Sequence, residues 1–455
     1  MKRLAYCCLL LLSCQPSNIL HAQKLLSGPW AGNIEQRTAS IWLQVAPDVK
    51  KLEIRYAPKD KPEATTSIKY TGTLGQAFNP VKIDLTGLDM GTMYTYDIWL
   101  DGKKQSLGFE TNFSTKELWQ YRKPAPDFSF LAGSCAYFNE PAFDRPGKPY
   151  GQDSSIFITM AKTPAAFHIW LGDNWYTREA DYSSPWGLEY RAAHDRATPV
   201  LQPFMASMPQ YAIWDDHDYG PNDGNKSYIF KEQSRSIFSK YTLNPSYGEN
   251  GKGIYTQFSY SDVDFFLMDD RYFRADDKLP DSIDGGLNKN KTFYGPEQFE
   301  WLTNALLKSR ATFKIIVTGS QVLNPNNRFE CLQHYPYEFN QLMRLISDQN
   351  IQGILFLTGD RHHSEIIRFP RTGQYPLYDI TASPYTSGIG KATGKEEKNP
   401  FRVDGTLVET QNFAKISVSG NKNERQLRVT FVNTNGTVVG LPDGWTIHEN
   451  DLKNK

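Results

Sequence analysis

Ala166-Phe-His-Ile-Trp-Leu-Gly-Asp173-Asn-Trp-Tyr176 decides the fold prediction, because its apolar run stops at Gly172 and a carboxylate follows at once. An uninterrupted apolar run is typical of a parallel strand that is buried on both faces, whereas a strand with one wet face alternates. The carboxyl ends of such strands line the crevice in which α/β sheets bind ligands. The segment therefore predicts an α/β fold that places Asp173 and Tyr176 at a site.

Two further segments repeat this design. Phe128-Ser-Phe-Leu-Ala-Gly-Ser-Cys135 breaks at Gly133 and ends in a thiol, and Gly353-Ile-Leu-Phe-Leu-Thr-Gly-Asp360-Arg-His362-His363 ends in a carboxylate and two imidazoles. Because strands of one sheet share an edge, we expect these distant side chains to meet at one sheet edge. Deprotonated Cys, Asp, Tyr and His side chains are metal ligands, so the three strand ends predict a metal site.

A fourth segment is acidic. Trp214-Asp-Asp-His-Asp-Tyr-Gly-Pro-Asn-Asp223 holds four carboxylates, one imidazole and one amide in ten residues, directly after an apolar run that ends at Ile213. Oxygen ligands of this kind suit hard cations. A solvated acidic loop would more often carry lysines and lack the flanking aromatic residues. The composition therefore favours a cation or phosphate site over a plain surface loop.

The four segments, taken in their order along the chain, resemble the signature blocks of the PhoD-like alkaline phosphatases, a branch of the metallophosphoesterase superfamily. The resemblance extends over residues 28 to 440. It implies a metallophosphoesterase-like layered β-sandwich flanked by helices and a mixed site of Fe³⁺ and Ca²⁺, although neither composition nor spacing identifies the metals. The metal ligands that it implies are Cys135, Asp173, Tyr176, Asn222, Asp360 and His362.

Three more residues receive catalytic roles from the resemblance. Arg271 follows the apolar run Val263–Met268 and two aspartates, and it matches the family's phosphate-binding arginine. A planar guanidinium suits two phosphoryl oxygens. A salt bridge to one of those aspartates is the alternative. His217 is expected to protonate the leaving group or hold a phosphoryl oxygen, or else to support Asp216 or Asp218. Asp216 is itself a catalytic or ligand candidate.

The implied activity is hydrolysis of phosphate monoesters, diesters or both at alkaline pH, by in-line attack of a hydroxide between two metals that Asp173 bridges. The segment Asp218-Tyr-Gly-Pro departs from the family pattern, so Asn222, Asp223 and Asp216 remain competing ligands. His363 is expected to support the ligands, because adjacent extended residues point to opposite sides.

Two functions of other classes compete with this interpretation. One is a non-catalytic envelope or carbohydrate-binding protein whose metal site is structural. The other is a serine hydrolase, which the sequence disfavours because Gly133-Ser134-Cys135 lacks the second glycine of a Gly-x-Ser-x-Gly elbow. The monoester and diester alternatives are not separated by sequence.

Composition and the leader fit an extracytoplasmic protein, and the resemblance implies small phosphate esters as its partners. Lysine plus arginine equals aspartate plus glutamate at 50 each, so no net field favours nucleic acid. Residues 1–22 have the charged start and short apolar centre of a signal peptide, with cleavage after Ala22 or, alternatively, lipid attachment at Cys14. No other stretch is apolar enough to span a membrane.

The chain is predicted to contain two domains after this leader. Residues 28–115 alternate apolar and polar side chains in short runs, which predicts an all-β sandwich of the immunoglobulin or fibronectin type. Residues 125–440 alternate strand and helix patterns and form the expected catalytic domain, ending in a hairpin around Gly420 that completes a second sheet. Cys331 is either a small buried residue or the disulfide partner of Cys135.

Overall fold

The computed structural model describes residues 24–454. The predicted signal peptide over residues 1–22, with its cleavage and lipidation sites, lies outside the described residues. Within them, no helix combines the length and apolar character that crossing a membrane requires.

The N-terminal part is built from strands, as predicted, with one short 3-10 turn at Pro62–Ala64. Its strands are Leu25–Gly32 (β1), Thr38–Val45 (β2), Leu52–Pro58 (β3), Thr66–Lys69 (β4), Pro80–Thr86 (β5), Met93–Leu100 (β6), Lys103–Lys104 (β7) and Asn112–Ser114 (β8). They form one sheet in the order β1-β2-β5 and another in the order β4-β3-β6-β7, with β8 paired to β6. Every second residue of β6 is buried, which is the pattern of a strand with one face against a core. The all-β prediction is confirmed.

The larger part is a two-sheet sandwich with helices, which confirms the predicted α/β class. Its strands are Phe128–Gly133 (β9), His168–Leu171 (β10), Gln210–Ile213 (β11), Thr256–Tyr260 (β12), Val263–Leu267 (β13), Ser282–Ile283 (β14), Gly286–Leu287 (β15), Phe313–Thr318 (β16), Ile354–Thr358 (β17), Glu365–Arg371 (β18), Gln374–Thr381 (β19), Asn412–Ser419 (β20), Gln426–Asn433 (β21), Val438–Val439 (β22) and Trp445–His448 (β23). Its helices are Ile156–Lys162 (α1), Pro185–Arg196 (α2), Leu201–Ser207 (α3), Asp216–Tyr219 (α4), Lys231–Tyr241 (α5), Gly295–Lys308 (α6) and Pro336–Asp348 (α7).

The two large sheets pack face to face. One has the order β11-β10-β9-β20-β21-β22, with β23 paired to β21, and the other has the order β12-β13-β16-β17-β19-β18. Phe130 on β9 meets Phe265 on β13 edge to face, with ring centroids 5.2 Å apart. This contact joins the two inner faces into one aromatic core.

Two details of the predicted topology are wrong. The C-terminal hairpin β20–β21 forms, but β20 pairs with β9 and extends the sheet of β9 and β10 instead of completing the other one. Likewise, β17 belongs to the second sheet, so the three ligand-bearing strands do not share one edge. The strand ends still meet, because Gly359 after β17 abuts the carbonyl of Leu171 at the end of β10, and an added Cβ would lie 2.5 Å from that oxygen.

The N-terminal part packs against helices of the larger part. Trp42 donates its indole N–H to the carbonyl of Lys240 in α5 at 2.6 Å. Ser27 donates its hydroxyl to the carbonyl of Arg196, the last residue of α2, at 2.8 Å. No residue of β1–β8 belongs to a group of candidate metal ligands within residues 24–454. The N-terminal sheets therefore support the larger part and contribute nothing to the groups described next.

Candidate metal centre

Four of the six predicted ligands converge where the strands end. The ligand atoms of Cys135, Asp173 and His362 all lie within 4.8 Å of one another. Cys135 Sγ is 3.4 Å from Asp173 Oδ2, and the hydroxyl of Tyr176 donates to the same oxygen at 2.8 Å. The Tyr176 hydroxyl is also 3.4 Å from His362 Nε2. We call these four residues the thiol cluster.

The backbone at the thiol cluster adopts a rare conformation. Cys135, Asp173, Asp360 and His362 have φ angles of 65°, 51°, 66° and 56°. Positive φ is uncommon for residues other than glycine, and such residues collect at functional sites. Each strand therefore turns sharply just after its last paired residue, and this turn directs the side chain into the space between the sheets' ends.

Among residues 24–454, no lysine or arginine forms an ion pair with the thiol cluster. Burial, together with the negative groups Cys135 and Asp216, raises the pKa of Asp173 well above its usual value. Burial also raises the pKa of the Cys135 thiol to about 11. No arginine or lysine within the described chain forms an ion pair with Asp173. Deprotonation of this group therefore requires a cation from outside the chain, and soft and phenolic donors beside a carboxylate suit a transition metal.

Asp173 also belongs to a second group with Asp216 and His217. The backbone N–H of His217 donates to Asp173 Oδ1 at 3.4 Å and to Asp216 Oδ1 at 2.9 Å. Asp173 thus presents one carboxylate oxygen to each group, which is the arrangement required of a bridging ligand. His217 Nε2 lies 4.0 Å from Asp216 Oδ2, so the predicted pairing of these two residues is loose.

His217 has an unusual environment. Its ring lies 4.2 Å from the ring of Tyr176, centroid to centroid, and its buried Nδ1 has no hydrogen-bond partner. Burial lowers its pKa. Asp218, the other predicted partner, instead accepts the backbone N–H of Asn174 at 2.7 Å and that of Asp215 at 2.9 Å. His217 is therefore a neutral imidazole whose free ring nitrogen is not committed to the fold.

A carboxylate cluster lies next to the thiol cluster. Asp215, Glu330 and Asp360 form one group of candidate ligands, and Asp216, Asp223 and Glu330 form another. Burial raises the pKa of Asp360 to about 6. Sequence reasoning did not single out Asp215 or Glu330. Asp215 stands inside the acidic segment, whereas Glu330 follows no strand and has no motif around it, so only the folded chain reveals its position.

Arg271 is fully buried within this carboxylate cluster. Its Nε donates to Asp215 Oδ1 at 2.6 Å, and its Nη1 donates to Glu330 Oε1 at 2.9 Å. The sequence predicted an ion pair with one of the adjacent aspartates, but these are not the main partners of Arg271. Asp270 Oδ1 is 3.9 Å from Arg271 Nε, and Asp269 accepts the backbone N–H of Arg271 instead of its guanidinium. The guanidinium is thus occupied by carboxylates, and its phosphate-binding role stays a prediction.

Asn222 is not brought into either cluster. Its side chain is exposed, and its Nδ2 donates to Asp223 Oδ2 at 2.7 Å. Asp223 donates its backbone N–H to Asp216 Oδ2 at 2.8 Å and offers its carboxylate to the group with Asp216 and Glu330. Of the three competing ligands left open by the sequence, Asp216 and Asp223 lie among the acids, and a ligand role for Asn222 stays a prediction. The turn after α4 directs Asn222 outward.

The structure also locates His363 and Cys331, the remaining residues of the sequence prediction. His363 is buried and points to Glu365, with His363 Nε2 3.6 Å from Glu365 Oε1, so it does not contact the thiol cluster. The alternative of a disulfide between Cys135 and Cys331 is wrong, because both cysteines are free and buried. Cys331 instead points its thiol to the carbonyl of Asn324 at 3.6 Å.

Comparison with known sequences agrees with this geometry. A family profile described as "PhoD-like phosphatase" matches residues 130–437. The chain is similar to alkaline phosphatase D of Bacillus subtilis (strain 168), with 25% identity over 327 residues, which are 62% of this chain and 53% of that protein. The match therefore spans about half the length of this curated relative.

Comparison with solved structures gives the same fold. A structure titled "Structure of PhoD" superposes with a TM-score of 0.72 and 18% identity, covering 93% of this chain and 89% of the other. A purple acid phosphatase, PPD1 from yellow lupin (Lupinus luteus) seeds, superposes with a TM-score of 0.64 and 12% identity, covering 93% and 75% of the two chains. At these identities the comparison concerns architecture, which is the predicted metallophosphoesterase-like sandwich.

Proposed function

Because the chain belongs to the PhoD-like phosphatase family, we propose that it is a metal-dependent hydrolase of phosphate monoesters, diesters or both, active at alkaline pH and located outside the cytoplasm. The observation that carries this proposal is the thiol cluster, in which buried acids converge without a cation from the chain. The leader-like composition of residues 1–22 supports the location.

The donor sets of the two clusters suit different metals. Cys135, Tyr176 and His362 offer sulfur, phenolate and imidazole, which favour Fe³⁺ when Asp173 completes the set. The carboxylate cluster offers only oxygens, which favour Ca²⁺, with Asp216, Asp360 and either Asp223 or Asn222 as ligands. Bound cations would lower the pKa of a reacting water and neutralise phosphoryl oxygens.

The chain's own residues have distinct roles in this proposal. Asp173, with one oxygen in each group, holds the two parts of the centre together. His217 is neutral at alkaline pH because burial lowers its pKa, so its ring, which lines the adjoining cavity, serves as a hydrogen-bond partner of a phosphoryl oxygen and not as a strong acid. Arg271 orients Asp215 and Glu330 around the substrate position.

A covalent serine intermediate has no support from the geometry. Ser134 is fully buried, and its hydroxyl oxygen accepts the backbone N–H of Asp360 at 3.2 Å. Its hydroxyl lies 3.3 Å from Cys135 Sγ, with no histidine as a base among its hydrogen-bond partners in the described chain. Direct attack of water on phosphorus is therefore the route that the side chains favour.

Metal analysis and assays with a monoester and a diester test the proposal. We expect purified protein to contain iron and calcium, to hydrolyse at least one of the two esters, and to lose this activity on chelation. Absence of bound metal together with no hydrolysis would instead favour the non-catalytic binding protein.

Visible absorption tests the ligand assignment independently of activity. A thiolate or phenolate bound to Fe³⁺ absorbs visible light, because an electron moves from the electron-rich ligand to the metal. We expect Tyr176→Phe and Cys135→Ser to shift or bleach this band. The matched controls are Tyr121→Phe, at a fully exposed tyrosine, and Cys331→Ser, at the other buried thiol. An iron-loaded protein whose band survives both cluster substitutions would contradict direct ligation by this pair.

A further inference from the structure

A cavity of about 320 Å³ opens beside the thiol cluster, within the size range of small-molecule sites. Tyr176 and His217 are the more buried of its lining residues and form its inner end, and the exposed Asn222 also lines it. Its outer wall comes from the loop of residues 144–150, which contributes Arg145 and Lys148. A phosphoryl group held at the metal centre would therefore direct its organic group into this cavity.

Two of the three cations in the cavity wall are already paired. Arg178 is buried and donates to Asp144 Oδ1 at 3.0 Å and to the carbonyl of Phe138 at 2.6 Å. Arg145 is exposed and donates to Glu179 Oε1 through Nε at 3.0 Å and through Nη2 at 2.9 Å. Because their positive charges are already neutralised by these carboxylates, Arg145 and Arg178 attract an anionic ligand only weakly.

Lys148 is different, because it has no such partner. Within the described part of the chain, no carboxylate lies within ion-pair distance of its ammonium group, and it makes no side-chain hydrogen bond. The wall therefore holds three cations, Arg145, Lys148 and Arg178, against two acids, Asp144 and Glu179, and it carries one net positive charge. This charge faces the cavity beside a strongly acidic centre.

Aromatic rings form the remaining wall. The rings of Tyr137 and Tyr150 meet edge to face with centroids 5.0 Å apart, and Tyr137 meets Tyr176 at the same distance. The Tyr150 hydroxyl is 3.1 Å from His362 Nδ1, which fixes this ring next to the thiol cluster. Rings in such an array present faces and edges on which a planar group packs.

We propose that this cavity selects phosphate esters whose organic group is planar and carries a negative charge of its own, with Lys148 as the residue that recognises this charge. The inference rests on the proposed function, since it assigns the organic group of the ester that the metal centre would hydrolyse. The second charge lies at the outer end of the cavity, where the acidic centre does not repel it.

A pair of esters that differ only in charge provides the test. The probes are para-carboxymethylphenyl phosphate and para-carbamoylmethylphenyl phosphate, whose organic groups have nearly the same size. We expect the wild type to have a higher kcat/KM for the charged ester, and we expect Lys148→Met to reduce this preference roughly two- to fivefold, which is the range for an exposed ion pair. Added salt should reduce the preference as well.

Two variants serve as controls. Lys422→Met removes an exposed lysine from the turn between β20 and β21, and it should leave the preference unchanged. Glu179→Gln should increase the preference, because it frees the guanidinium of Arg145 for the ligand. A wild type without preference, or a preference that survives Lys148→Met, would overturn the proposal.

Binding of the matching non-hydrolysable phosphonates separates this inference from the proposed function. If neither ester is hydrolysed, the proposed function fails, while the phosphonate pair still reports on the cavity. Tighter binding of the charged phosphonate, weakened in Lys148→Met, supports the cavity assignment. Equal affinity of the wild type for both phosphonates contradicts it.

Discussion

Two neighbouring groups of buried acids differ in whether the chain itself neutralises them. In the carboxylate cluster, the guanidinium of Arg271 donates to both Asp215 and Glu330. In the thiol cluster, the side chains of Cys135 and Tyr176 donate to Asp173, and both are themselves acids. The first group is an internal ion pair, and the second lacks the cation that would complete it.

The difference shows which part of the centre the fold can stabilise by itself. Buried charges are tolerated when they are paired, and unpaired acids instead shift their pKa and become neutral. Burial raises the pKa values of Asp173 and Cys135, so both are held protonated in the absence of metal. The thiol cluster is therefore a site in which metal binding and proton release are coupled.

Asp173→Asn should have the largest effect on this comparison. Asparagine keeps the shape of Asp173 and one acceptor oxygen but removes the bridging charge, so we expect turnover to fall by about a hundredfold or more, as when a charge-stabilising group is removed. Metal content should fall with it. Asp153→Asn, at an exposed position whose carboxylate accepts from the neighbouring Ser155, is the control. Full activity of Asp173→Asn would contradict the assigned centre.

The same variant should be more stable than the wild type when both are free of metal. The folded-state pKa of Asp173 lies above its unfolded value, so the folded state retains a proton that the unfolded state releases. Asp173 therefore lowers the free energy of unfolding more and more as the pH rises above its unfolded-state pKa. Urea unfolding at several pH values measures this, and a wild type that is equally stable at acidic and alkaline pH would argue against the shift.

Arg271→Met should leave the buried acids of the carboxylate cluster without a cation from the chain, as those of the thiol cluster already are. Removing one partner of a buried ion pair typically costs about 3–5 kcal/mol, because the remaining charges stay unpaired. We expect this loss in urea unfolding of the metal-free protein, and we expect added Ca²⁺ to restore more stability in the variant than in the wild type. Arg310→Met, at an exposed arginine, is the control. A loss that Ca²⁺ does not reduce would show that the cluster cannot accept a cation in place of the guanidinium.

The sequence predicted those features that depend on local patterns. The apolar runs that end at Gly133, Gly172 and Gly359 identified both the α/β class and the strand ends that Cys135 and Asp173 follow. These features are local because an uninterrupted apolar run reports burial on both faces and the glycines permit close approach of the strand ends.

Features that depend on tertiary packing were missed. The ion-pair partners of Arg271 are Asp215 and Glu330. Asp215 follows β11, which belongs to the other large sheet, and Glu330 lies in a loop without a motif. Sequence proximity suggested the adjacent aspartates instead. The exposure of Asn222 depends on the geometry of the turn after α4, which residue identity alone does not determine.

Asp223→Asn should have an intermediate effect. Asp223 has a φ of 55°, a conformation that asparagine tolerates, so the backbone should be preserved while one carboxylate is lost. We expect the affinity for Ca²⁺ to fall roughly tenfold, whereas Asn222→Ala should change it less. Calorimetric titration with Ca²⁺ measures both. A larger loss for Asn222→Ala would return Asn222 to the ligand set that the resemblance implied.

His363→Gln should have the smallest effect, although its neighbour belongs to the thiol cluster. His362 has a φ of 56° and lies with Cys135 and Asp173, whereas the side chain of His363 points to Glu365. Glu365 keeps strong partners without it, because Arg402 Nε donates to its carboxylate at 2.6 Å.

Glutamine can replace this weak contact, so we expect His363→Gln to lower the free energy of unfolding by about 1 kcal/mol or less. Its iron content and visible band should match the wild type. His362→Gln, the matched change one residue earlier, should lose iron and alter the band. If both variants lost iron equally, the two histidines would have to act on the metal together, and the separation between the thiol cluster and the Glu365 network would be wrong.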